Sequence, residues 1–99
     1  MQAEGQVSVP EELLQLRNSI DAIDEELLKI LVRRFEVTAR VGQLKASYGL
    51  DSVDPVREQQ KLERLRRKAE VLGLNSAFIS ELFQGLFDEV VKNHRSYLK

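Results

Sequence analysis

The chain has no cysteine, no tryptophan, one histidine, one methionine, two prolines and five glycines in 99 residues. Each scarcity removes a class of function. Without thiols there is no disulfide, no thiolate nucleophile and no cysteine-ligated metal. A single imidazole, His94, supplies too few nitrogen ligands for a transition-metal centre made by the protein alone, so none is expected. The scattered glycines build neither a phosphate-cradling loop nor a dinucleotide fingerprint. Six aromatics (four Phe, two Tyr) and a formal net charge of -1 give no basic surface and no stacking platform for nucleic acid. No apolar run approaches a membrane span, and the opening MQAEGQVSVP is too polar for a signal peptide. The expected compartment is therefore the cytoplasm, with neither a membrane nor a nucleic acid as partner.

What the chain has is charge, at 31% of residues, beside 42% apolar residues. That is the balance of a soluble helical protein. Its length suits one domain, or half of an intertwined dimer. Residues 1–10, with Gly5 and Pro10, read as a flexible lead-in, and residues 11–99 as the domain.

The longest pattern runs from Leu13 to Lys45. Apolar residues fall at heptad spacing at Leu13, Leu16, Ile20, Ile23, Leu27, Ile30, Val37, Val41 and Leu44. One seam position breaks the pattern, and it holds Arg34. A buried guanidinium without a counter-charge costs several kcal/mol, roughly, so either Arg34 reaches out at the rim or an anion meets it. No acidic residue occupies a neighbouring seam position, which points to an anionic ligand. Lys45 follows 11 residues later, returning to nearly the same face about 16 Å further on. Arg17 lies about 42 Å from Lys45 along the helix, too far to share one small-molecule pocket. If all three cations serve ligands, Arg17 serves a pocket in a second copy of the chain.

Three helices follow from the punctuation. The first starts near Pro10-Glu11-Glu12 and runs to about Ser47, too long to bury its stripe within one short chain. Gly49 is a natural stop. Asp54 reads as the N-cap of a second helix, with Pro55 its first residue and Gly73 its end. Its basic run Arg64, Arg66, Arg67 and Lys68 reads as a solvated face. Asn75 or Ser76 caps a third helix that carries Ile79, Phe83, Leu86, Val90 and His94 on one face, to about Tyr97. The fold class is all-α, with one long N-terminal helix and two of medium length. No serine, except Ser96 near a chain end, has a histidine beside it, so nucleophilic catalysis has no candidate. Cations on a helix face, with Asp54, Arg57 and Glu58 at the mouth of the second helix, could instead bind a small dicarboxylate and work by electrostatic preorganisation.

Three motifs in order give a resemblance. Leu13-x-x-Leu16-Arg17-x-x-Ile20-x-x-x-Asp24, then Arg33-Arg34-Phe35-x-Val37-x-x-x-Val41-Gly42-x-x-Lys45, then Asp54-Pro55-Val56-Arg57-Glu58 resemble the all-helical chorismate mutases from about Leu13 to His94. The resemblance implies an intertwined homodimer with shared active sites and the rearrangement of chorismate to prephenate, a step towards aromatic amino acids, without a cofactor. It implies that Arg34 grips one substrate carboxylate and Arg17 of the second copy the other. Lys45 would donate to the ether oxygen, Glu58 with Asp54 would hold the hydroxyl, and Arg57 would stand at the rim. Two positions depart from the family pattern: Val90 replaces a common Ser, and His94 a Gln that is a second donor to the ether oxygen. If His94 faces the ligand, turnover should improve as pH falls through its titration. If it only ends the apolar stripe, it should not, and a one-residue shift would bring Asn93 inward instead. Isochorismate pyruvate-lyases and 4-amino-4-deoxychorismate mutases share this fold, and a non-enzymatic dimeric helical module explains the heptad but not Arg34.

Overall fold

The computed structural model describes residues 9–51 and 53–95. Among them there are three helices and no strand: α1 (Glu11–Ser47), α2 (Pro55–Val71) and α3 (Ser76–Arg95). Residues 1–8 of the expected lead-in, and Tyr97 as the expected end of the third helix, lie outside the described residues.

The boundaries follow from local chemistry. Pro10 contributes its carbonyl to Leu14 N–H (3.2 Å), so it precedes the first helical residue rather than joining the first turn. Asp54 accepts from Arg57 N–H through Oδ1 (3.2 Å), and Asn75 accepts from Phe78 N–H in the same way (3.0 Å). Each satisfies an amide that has no partner within its helix. Asn75, not Ser76, is thus the cap of α3. The ends of α1 and α2 are built alike. Leu50 N–H reaches Lys45 O (2.7 Å) while Gly49 N–H reaches Ala46 O (3.2 Å); Leu74 N–H reaches Ala69 O (2.7 Å) while Gly73 N–H reaches Glu70 O (3.1 Å). Gly49 and Gly73 sit at φ +67° and +79°, the left-handed geometry that such stops require. Helix 2 therefore ends at Val71, two residues before the glycine expected to close it.

The chain divides between Arg34 and Phe35 into two compact units. In the first, no described residue is buried; only Leu31 and Arg34 are half-buried, and the seam residues Leu13, Leu16, Ile20, Ile23, Leu27 and Ile30 are all exposed. The second unit has its own core. Ala69 and Phe87 are buried, Leu62, Leu65, Ile79, Phe83 and Leu86 half-buried, and the Phe83 and Phe87 rings stand 6.4 Å apart, tilted by 56°. The last turns of α1 contribute Phe35, Ala39, Gly42 and Ala46, at spacings of four, three and four, to the shielded side. The heptad seam points elsewhere: Val37, Val41 and Leu44 remain exposed, Val37 at 65%. The basic run of α2 is solvent-exposed, with Arg66 and Arg67 paired to Glu63 at 3.6 and 3.8 Å.

Candidate active site

Lys45 is half-buried in the final turn of α1, and its carbonyl receives the 2.7 Å bond that stops the helix. The stop fixes the backbone from which the ammonium projects. At the start of α2, the Asp54 cap orders the turn that carries Arg57 and Glu58, and Glu58 N–H closes onto Asp54 O at 3.0 Å. Glu58 is half-buried, whereas Asp54 and Arg57 are exposed. Lys61, one turn further along α2, is also half-buried.

On α3, Val90 is half-buried and His94, one turn later, is only 4% exposed, while Asn93 faces solvent. The helix therefore turns His94 inward and not its neighbour. The imidazole meets α1: His94 Nε2 lies 2.8 Å from the Thr38 carbonyl oxygen. A carbonyl only accepts, so Nε2 carries the proton and donates. His94 Nδ1 is also buried. The Thr38 hydroxyl donates to Phe35 O within its own helix (3.2 Å), so Thr38 meets α3 through its backbone.

Thus the structure gathers Asp54, Arg57 and Glu58 into one helix start, and ties the turn of α3 that holds His94 to α1 at Thr38. In the first unit, Arg34 is half-buried with Nη1 withdrawn from solvent, and Arg17 is exposed. Thr38 is the participant that the sequence reading passed over. It takes part through its backbone carbonyl, which has no sequence signal. Among the described residues, no group of three or more His, Asp or Glu side chains is placed to hold a metal ion.

Comparison with known proteins gives the family. The family model for chorismate mutase type II matches residues 16–95. A T-protein of Enterobacter agglomerans is 38% identical over 78 residues, covering 79% of this chain and 21% of that protein. A bifunctional chorismate mutase/prephenate dehydratase of Aquifex aeolicus is 37% identical over 82 residues, 82% of this chain and 22% of that protein. A chorismate mutase of Methanocaldococcus jannaschii is 27% identical over 89 residues, 90% of each chain. The chain spans about a fifth to a quarter of the first two relatives and nearly all of the third. The matched region takes in Arg17, Arg34, Lys45, Arg57 and Glu58, and the chain belongs to the chorismate mutase type II family.

Proposed function

We propose that this chain is a chorismate mutase that converts chorismate to prephenate. The observation that carries the reading is the family match across residues 16–95, which contains every cation singled out in the sequence. The rearrangement breaks one C–O bond, forms one C–C bond and shifts the π electrons, with no proton gained or lost. It needs no nucleophile and no general base. What lowers the barrier is a compact, near-attack conformer and positive charge where the ether oxygen becomes negative. Arg34 grips one carboxylate, and Arg17 of a second copy the other. Glu58, beside Asp54, accepts from the substrate hydroxyl, Arg57 stands at the pocket rim, and Val90 gives an apolar wall. Lys45 donates to the ether oxygen and binds more strongly as charge grows there, so it accelerates the step rather than merely holding substrate.

The homodimer belongs to the same proposal. The apolar residues of the heptad seam are exposed from Leu13 to Leu44, even where α1 also helps form the shielded side of its own unit. A long apolar seam that the chain itself leaves uncovered suits a second long helix. Two-fold pairing of identical seams supplies each site with the Arg17 that its own chain cannot bring. None of the described helices is long and apolar enough to cross a membrane, and a cytoplasmic location completes the reading.

The test is turnover of chorismate beside isochorismate, with products identified. Prephenate from chorismate, with little turnover of isochorismate, is expected. Salicylate and pyruvate from isochorismate would replace the mutase with a lyase on the same fold.

A further inference from the structure

The Gln-like role implied for His94, donation to the ether oxygen, requires a ring nitrogen that bears a proton and points at substrate. The structure commits Nε2 elsewhere. At 2.8 Å from Thr38 O it must be the protonated nitrogen, and in the neutral ring Nδ1 then carries a lone pair. A lone pair facing an ether oxygen repels it. The ring is 4% exposed and its Nδ1 is buried as well, so His94 has the surroundings of a core residue. The bond joins residues 56 positions apart, and it is made where α3 approaches the turns of α1 that lead to Lys45. Val90 precedes His94 by one turn on α3, and Lys45 follows Thr38 by two turns on α1.

We infer that His94 and Thr38 form a positioning pair: the imidazole pins the last turns of α3 to the stretch of α1 that leads to Lys45, rather than donating to the substrate. The pin is a property of the fold. Only its effect on turnover rests on the mutase reading.

The experiment uses the full chain and three substitutions. Glutamine carries an N–H to about the position of Nε2 and can restore the bond; asparagine, one carbon shorter, places its amide near Nδ1 and cannot; leucine removes both. The first readout is the nitrogen NMR spectrum of the free protein, in which His94 should be the Nε2–H tautomer with a slowly exchanging ring proton. A δ tautomer overturns the inference. The second is thermal unfolding: His94→Asn and His94→Leu should lower Tm by about 5 °C, and His94→Gln should recover most of it. Recovery by Asn but not Gln would make Nδ1 the working nitrogen and overturn the pin. The third is chorismate turnover. His94→Leu should lose about tenfold in kcat with KM within about twofold, and His94→Gln should restore it, as expected when a catalytic group is misplaced rather than removed. Wild type and His94→Gln should have superimposable kcat/KM profiles from mildly acidic to neutral pH. A rise on acidification in wild type alone would make His94 a proton-bearing donor to the substrate and defeat the inference. If wild type turns over no chorismate, the mutase reading fails, and the tautomer and the Tm order still decide whether the pin exists.

Discussion

Residues 35–95 enclose side chains; residues 9–34 enclose none. The second stretch buries Ala69, Phe87 and His94 and shields one side of α2 and α3, whereas every apolar seam residue of the first stretch is exposed. The contrast is not one of composition, since both stretches are rich in leucine, isoleucine and valine. It is one of address. Some apolar groups in residues 35–95, such as Ala69 and Phe87, are buried within the chain, whereas those of residues 9–34 are left uncovered by it, apart from the half-buried Leu31. Helix α1 carries both kinds at once in its last three turns, with Phe35, Ala39, Gly42 and Ala46 shielded and Val37, Val41 and Leu44 exposed.

The sharpest break in this comparison comes from Arg34 and Lys45, the two half-buried cations of α1. Removing one preorganised donor from developing charge typically costs about a hundred- to a thousandfold in rate, and Lys45→Ala should lose at least that in kcat. Arg34→Leu should lower kcat/KM by about a thousandfold, roughly 4 kcal/mol, with the helical spectrum unchanged. In a helical module without activity, the same leucine would complete the seam and raise Tm without any other consequence. Steady-state kinetics and circular dichroism of one variant therefore separate enzyme from module.

The next test strikes residues 9–34 alone. Leu27→Asp places a charge in the exposed seam and should convert the proposed dimer to monomers in sedimentation, because an unpaired charge cannot be buried there without a cost of several kcal/mol, roughly. Activity should vanish with the dimer. Mixing Arg17→Ala with Lys45→Ala subunits gives the complementary result. Each mixed dimer holds one intact site and one doubly defective site, so random exchange should restore about a quarter of wild-type turnover from two inactive proteins. No recovery after exchange would mean that Arg17 and Lys45 act within one copy, contrary to the distance along α1.

Core substitutions measure the other side of the contrast. Phe87 is 7% exposed and lies against Phe83, so Phe87→Ala should destabilise the protein by about 3 kcal/mol in urea unfolding. Leu14 is exposed and off the seam, and Leu14→Ala should change stability by less than about 0.5 kcal/mol. Equal losses at the two positions would mean that residues 9–34 are packed as fully as the rest.

How much of this was legible in the sequence depended on how local the cause was. The Asp54-Pro55 start and the Gly49 stop are decided within five residues and stand where the sequence puts them, and of the two caps the sequence offered for α3 the structure uses Asn75. The second stripe of α1 was not legible, because alanine and glycine at positions 39, 42 and 46 carry no hydrophobic signal beside the valines and leucines of the heptad. Their smallness matters only once another element lies close. His94 was legible as an inward residue of α3, by its spacing from Val90. Its acceptor was not, because a backbone carbonyl has no sequence signature and Thr38 is 56 residues away. The same holds for the candidate site residues: Arg34 stood out as a charge in the seam, Lys45 by its return to the same face, and Arg57 and Glu58 by their place at the start of α2 and by the resemblance, whereas a residue acting through its main chain announced nothing.

The smallest effect is also the cleanest comparison, between the caps of α2 and α3. Asp54 and Asn75 make the same bond to the third amide of their helices, at 3.2 and 3.0 Å. Asp54→Ala and Asn75→Ala should each cost about 1 kcal/mol of stability, because either leaves one amide without its acceptor. Asparagine caps as well as aspartate, so Asp54→Asn should leave stability unchanged while removing the charge beside Glu58. If Asp54 also helps hold the substrate hydroxyl, the asparagine variant should raise KM by about threefold, under 1 kcal/mol of lost binding, with kcat nearly constant. Asn75→Ala should leave both constants alone, since it opens the helix end that carries no proposed contact to substrate. A KM rise shared by both alanine variants would assign the effect to frayed helices, and a rise confined to Asp54 would assign it to the site.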